Sequence, residues 1–279
     1  MCCIMDIAFN PALSVSGFVV GLLVGLTGVG GGALMTPLLV LVFGIRPATA
    51  VGTDLLYAAI TKSGGTWVHH KHDHIDWRIT GRLAAGSVPA AALTLLLLAS
   101  IGVSGHGASP LISLVLGVAL LLTAGSLLFR TRLLKLASRR YLPAKRNPRY
   151  AERASAEFSH RHTAGLTVVV GAVVGILVTI SSVGAGALGV TALTFLYPHL
   201  ATRRIVGSDI AHAVPLTLVA GLGHWWLGSV DVPLLLNLLL GSLPGIALGS
   251  HLASRVPERG LRNVLAGVLL LVGGKLIFV

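Results

Sequence analysis

GLLVGLTGVGGGALMTPLLV, residues 21–40, is an apolar run broken near its middle by four glycines, at 28, 30, 31 and 32. A run this apolar is membrane-spanning in character, and a glycine cluster is where a helix breaks and exposes backbone N–H groups. The pattern returns later in the chain. LTGVGGGAL (26–34) is echoed by ISSVGAGAL (180–188), an offset of 154 residues. VGTDL (51–55) is echoed by VGSDI (206–210), IDW (75–77) by VDV (230–232), and GSVP (86–89) by GSLP (241–244), each at an offset of 155. Four matches in one order, with offsets that agree to within one residue, indicate an internal duplication, a hallmark of secondary transporters whose sites lie between the repeats.

Working outward, the composition agrees. The chain has 279 residues, 54% hydrophobic and 11% charged, where a soluble domain carries about 25% charged residues. That deficit excludes an ordinary soluble enzyme, a disordered chain and a nucleic-acid module. The formal charge of +12 is local: ten of the 21 Lys and Arg residues lie between Arg130 and Arg161. Cys2 and Cys3 are adjacent, with no further cysteine, which excludes a structural disulfide framework or a thiolate metal site. The N-terminus lacks the basic region of a signal peptide, so the first apolar block is expected to remain in the mature protein.

Apolar blocks run roughly over 12–44, 47–68, 79–100, 108–129, 163–198, 204–227, 232–254 and 261–279. The expected organisation is a first membrane repeat over 1–129, a basic cytoplasmic linker over 130–162 and a second repeat over 163–279. Blocks 12–44 and 163–198 are too long for one simple span of about 20 residues. If each is a continuous helix, the repeats are parallel. If each folds back as a Gly-broken helical hairpin, each half crosses three further times and the repeats are inverted. With the basic stretch inside, the parallel arrangement strands Arg203, Arg204, Arg255, Arg259 and Arg262 outside, whereas the inverted one places them inside with Lys71 and Arg78. The fold expected is therefore an all-α polytopic membrane protein of two inverted repeats, with a Lys/Arg-free N-terminus outside. Gly17, Gly21 and Gly25, and again Gly241, Gly245 and Gly249, form close-packing faces. Trp67, Trp77, Trp225 and Trp226 sit near block ends as interfacial anchors.

Three groups of residues carry candidate chemistry. The glycine breaks, Gly28, Gly30, Gly31 and Gly32 in one half and Gly184 and Gly186 in the other, expose N–H groups suited to an anion. Thr27, Ser181 and Ser182 add hydroxyl donors beside them. Gly28 to Ala33 formally fits G-x-G-x-x-A, but a dinucleotide site needs a strand and a helix of a soluble sheet, and no Gly-Lys-Ser/Thr follows. The second group is Gly52-Thr53-Asp54 with Gly207-Ser208-Asp209. Thr53 and Ser208 are candidate substrate ligands. Asp54 and Asp209, inside apolar blocks, are candidate proton carriers; the alternatives are pairing with Lys62 and Arg204, or helix capping. The third is Lys62, eight residues after Asp54 on nearly the same face, which pairs with that aspartate, attracts an anion or snorkels to an interface. His69, His212 and His224 are candidate proton relays or interfacial polar groups. The His-rich loop 69–74 lacks metal-site spacing, and Lys71 repels a cation, so no metal and no cofactor is expected. The basic stretch is suited to anionic lipid headgroups.

On GLLVGLTGVGGGALMTPLLV (21–40), ATAVGTDLL (48–56), the IDWR turn (75–78) and the second-half SSVGAGAL and RRIVGSD, the chain resembles the TauE/SafE family of sulfite exporter-like membrane transporters. The likeness covers nearly the whole chain outside 130–162. It implies a transporter, not an enzyme, moving a small sulfur-containing or organic anion such as sulfite, sulfoacetate or another sulfonate across the cell membrane. Asp54 and Asp209 depart from the uncharged hydroxyl-type residue expected there, and the His-rich loop is unusual. Rival readings are a passive anion channel, a membrane scaffold, and an intramembrane hydrolase using Ser181 or Ser182 with His212 and Asp209, which lacks a Gly-x-Ser-x-Gly elbow. Substrate identity, direction, coupling ion and oligomeric state are not encoded in these patterns.

Overall fold

Proline and aspartate start the principal helices. Pro11 and Pro47 open the first and third helices, where a missing N–H costs nothing. The Asp76 carboxylate accepts from the Arg78 and Ile79 amides at 3.0 and 3.3 Å, and Asp231 accepts from the Leu234 amide at 2.9 Å. Both are N-caps. The computed structural model describes residues 10–27, 32–101, 109–139, 160–198, 200–252 and 258–278. Among them the helices are α1 (Pro11–Thr27), α2 (Gly32–Leu41), α3 (Pro47–Lys71), α4 (Trp77–Ile101), α5 (Ser109–Arg139), α6 (His160–Ser181), α7 (Ala187–Leu196), α8 (Thr202–Trp226), α9 (Val232–Leu252) and α10 (Glu258–Phe278), with no strand among the described residues.

Five of these, α4, α5, α6, α8 and α9, contain stretches long and apolar enough to cross a membrane. Their outward faces carry exposed Leu93, Leu97, Leu122, Val173 and Leu240, the side chains expected against lipid. α3 holds Asp54, Lys62 and two histidines, so it is less apolar, yet Ala50–Ala59 is buried throughout. α3 and α8 pack on each other at the centre. α1 packs on α9, α4 on α6, and α5 on α10. The first helix of each half therefore lies against the fourth helix of the other half.

Those contacts fix the directions of the helices. Gly17, Gly21 and Gly25 of α1 lie against the backbone of Leu238, Ser242 and Ile246, so α1 and α9 run parallel. Thr53 and Tyr57 of α3 meet Asp231 and Ser242, so α3 is parallel to α9 as well. α1 and α3 then point the same way, and α2 between them must return the chain. In the second half, Gly171 and Gly175 of α6 lie against Leu83 and Ser87, and Ser208, His212 and Gly223 of α8 meet Asp76, Ser87 and Leu95. α6 and α8 are thus both parallel to α4, and α7 must return the chain. Each glycine-broken block is a fold-back and not a continuous helix. α3 and α8 run antiparallel, with Gly52 beside His224 and Gly65 beside Ile210.

The boundaries expected for the basic linker fall inside helices. α5 continues ten residues past Phe129 to Arg139, and α6 begins at His160. Arg132, Leu133, Leu134, Lys135 and Leu136 are all good helix formers, so the charge run does not end the helix.

Candidate functional site

The break between α6 and α7 is built by backbone geometry. Ser182 has φ +57°, Gly184 +126° and Gly186 +130°. The two glycine values lie where a Cβ would be strained. The Gly189 and Val190 amides bond back to the Gly184 and Gly186 carbonyls at 3.2 and 3.1 Å. Ser181 Oγ donates to the Leu177 carbonyl at 2.6 Å and accepts from the Val183 amide at 3.2 Å, closing the end of α6. Of the matching break in the first half, Gly28, Gly30 and Gly31 lie outside the described residues. Thr27 ends α1 and Gly32 begins α2.

Lys62 reaches this break. Its Nζ donates to the Ala185 carbonyl at 3.3 Å. It therefore points into the protein and does not snorkel outward. Asp54 and Asp209, both buried, lie in its electrostatic field. Asp54 Oδ2 accepts from Thr36 Oγ1 of α2 at 2.6 Å. The Ser182 hydroxyl faces the same carboxylate without closing a hydrogen bond, and Asp54 Oδ1 has no donor among the described residues. Neither oxygen of Asp209 has a donor among the described residues. Its carboxylate rests on Gly189, in the first turn of α7, so tightly that a Cβ there would collide with it. The structure thus brings together Asp54, Lys62, Asp209, Ser182 and the α6–α7 break, and it adds Thr36 and Gly189, which the sequence reading missed. Thr36 is one hydroxyl in an apolar run, and nothing local marks it.

Arg204 does not hold Asp209. It lies 4.0 Å from Asp73, with both side chains well exposed, and exposed pairs of this kind contribute little. The arginine stands five positions before Asp209, off the face that the aspartate presents.

Thr53 and Ser208 are engaged elsewhere. The Asp231 amide donates to Thr53 Oγ1 at 3.1 Å, and the Asp76 amide donates to Ser208 Oγ at 2.8 Å. Each hydroxyl so holds the turn before the fourth helix of the opposite half. Gly52 and Gly207 let those turns close in, on the Ser229 and His74 carbonyls. His69 and His224 sit at the same two places, beside Gly207 and Gly52, each about 22 Å along its helix from the aspartate it follows. They close matching turns: the His74 amide donates to the His69 carbonyl at 3.0 Å, and the Ser229 amide to the His224 carbonyl at 2.9 Å. His224 Nε2 donates to the Thr179 carbonyl at 3.0 Å.

His212, one turn beyond Asp209, does flank the site. Its Nε2 meets Ser87 Oγ at 2.8 Å, while Nδ1 is buried without a partner among the described residues. Tyr57 and Ser242 stand in the corresponding places, their hydroxyls facing each other. The GSVP and GSLP matches already contained Ser87 and Ser242. Their partners, at positions 57 and 212, share the same offset of 155 but differ in residue type.

Comparison with known proteins agrees over the whole length. The family model described as sulfite exporter TauE/SafE matches residues 13–276. A "Probable membrane transporter protein YjnA" from Bacillus subtilis (strain 168) is 39% identical over 268 residues, covering 96% of this chain and 100% of that protein. A second B. subtilis protein, "Probable membrane transporter protein YdhB", is 28% identical over 91% of this chain and 97% of its own. A "Probable membrane transporter protein" of Xylella fastidiosa (strain Temecula1 / ATCC 700964) is 26% identical over 92% of this chain and 90% of its own. No solved structure matches the chain.

Proposed function

Because this chain belongs to the sulfite exporter TauE/SafE family and is a multi-pass membrane transporter, we propose that it is a secondary transporter of a small anion, such as sulfite, a sulfonate or a small carboxylate. The observation that carries this reading is Lys62, a cation within the bundle whose ammonium points at the α6–α7 break. A fixed positive charge beside the N-terminal turn of α7 is an attractive potential for an anion at mid-depth. Ser182 supplies a hydroxyl next to the Asp54 carboxylate, with no hydrogen-bond partner among the described residues. Thr53 and Ser208, held by the opposite half's turns, leave substrate contact to the residues around Lys62.

Asp54 and Asp209 take the coupling role. A buried carboxylate without donors trades its charge for a proton or a cation more readily than it stays bare, so at least one of the pair binds a proton during the cycle. His212 relays to Asp209. The halves act as inverted repeats, a reading supported by the antiparallel course of α3 and α8 and by the exchange of α1 and α6 between halves. The basic stretch lies on the cytoplasmic side against anionic lipid.

Uptake of sulfite, thiosulfate, sulfoacetate and acetate into proteoliposomes, with and without a pH gradient, tests the reading. Saturable, gradient-stimulated uptake of one of them is expected. Flux that rises linearly with concentration and ignores the gradient would identify a passive channel instead.

A further inference from the structure

The two carboxylates at the centre have different oxygen neighbours. Asp54 has the Thr36 hydroxyl bonded to one oxygen, and the Ser182 hydroxyl facing it. Its other oxygen and Ser182 Oγ are both buried, and neither has a hydrogen-bond partner among the described residues. Three separate elements supply these atoms: α2, α3 and the break after α6. The break is also where the backbone leaves helical geometry, at Ser182 and Gly184. Asp209 has no hydroxyl; its surroundings are Gly189 and Lys62.

We propose that Asp54, Thr36 and Ser182 form a binding site for a monovalent alkali cation, sodium, which serves as a coupling ion. It rests on the transporter reading above and names one of the coupling ions. The donor set is all oxygen, which suits a hard cation and not a transition metal. It holds one negative charge, and the opposing charge of Lys62 is shared with Asp209. A divalent cation needs more ligand charge than that, whereas sodium matches the single charge of Asp54. Unwound helix ends at mid-depth are places where transporters hold sodium, through hydroxyl and backbone oxygens. Thr36 keeps lone pairs free while its proton orients the carboxylate. Ser182 Oγ has no other use within the described residues.

The test is direct cation binding to the purified full-length protein, read without any anion. Thermal stability is titrated with NaCl, KCl and choline chloride at constant ionic strength, and bound 22Na is counted by scintillation proximity. A saturable sodium effect is expected, with potassium at least about tenfold weaker. Ser182→Ala and Thr36→Val each weaken sodium binding by about tenfold or more, the cost usual for a lost group at a metal site, and Thr36→Ser restores it. Asp54→Asn abolishes it, and Asp209→Asn leaves it in place. Equal stability in sodium and choline, or unchanged sodium affinity in Ser182→Ala, overturns the proposal. Sodium binding with no uptake of any anion tested would remove the transport reading and leave the site standing. Anion uptake indifferent to sodium in a protein that does not bind it would do the reverse.

Discussion

Asp54 and Asp209 close the same triplet, Gly-Thr-Asp and Gly-Ser-Asp, and their flanks match closely. On both sides the glycine lies on a turn carbonyl, the hydroxyl takes a turn amide, and a histidine fifteen residues on closes the other turn. Their centres do not match. One carboxylate is dressed with hydroxyls, and the other sits bare between a lysine and a glycine. Tyr57 and His212 repeat that contrast, one hydroxyl against one imidazole at corresponding places, each opposite a serine. The contacts that join the halves are alike, because both turns dock in the same way. The middles differ, as expected if the two carboxylates bind different ions.

The contrast can be broken most severely at Lys62, which both carboxylates share. Lys62→Met should lower anion uptake by roughly 100-fold, the scale of a lost electrostatic partner in a dry site. Uptake within twofold of wild type, at matched protein in proteoliposomes, would show that the cation serves packing. Asp209→Asn keeps the shape but cannot titrate. It should cut uptake driven by an inward proton gradient about tenfold, a loss of roughly 1.4 kcal/mol in coupling, and leave cation-dependent thermal stability intact. If Asp54→Asn and Asp209→Asn change the pH profile and the sodium response alike, the division of labour falls.

Gly189→Ala probes the bare side with a single carbon. The new Cβ would displace the Asp209 carboxylate, so a roughly fivefold loss of gradient-driven uptake is expected, about 1 kcal/mol. Gly125→Ala, which meets nothing within 4 Å, is the control and should be neutral or slightly stabilising. The smallest effect tests the likeness and not the contrast. Thr53→Val and Ser208→Ala each leave a turn amide without its acceptor. Both should lower stability by about 1–2 kcal/mol and change uptake less than twofold. A large difference between them, in denaturation midpoints, would mean that the two docking turns are not alike.

Much of this was legible in the sequence. The glycine clusters at 28–32 and 184–186 marked the places where each long block divides, because several glycines together weaken a helix and allow backbone angles that other residues avoid. The positive-inside argument favoured fold-backs, and helix directions give fold-backs. Asp54, Asp209 and Lys62 stood out because charge in an apolar block is rare. What stayed hidden depended on the exchange of helices between halves. Thr53 and Ser208 looked like ligands beside the aspartates, but alternate positions on a helix face different ways, and theirs face the opposite half's turns. Thr36 was invisible because its role comes from a short helix folding back onto α3. Arg204 was misplaced for a related reason: its partner, Asp73, comes from the turn after α3 and not from its own helix.

The packing of α1 on α9 has a consequence for how the chain is made. About 200 residues separate the two helices, roughly 10–40 s of synthesis at common ribosomal rates. Until α9 arrives, the glycine face of α1 meets lipid or the insertion machinery. α4 waits less, since α6 follows it sooner. Neither half can complete its packing alone, so the first half leaves the ribosome as an unfinished surface whose missing pieces are still to be translated. Two fragments cut within 140–159 and expressed together should find each other for the same reason, and either fragment by itself should be a substrate for membrane proteases.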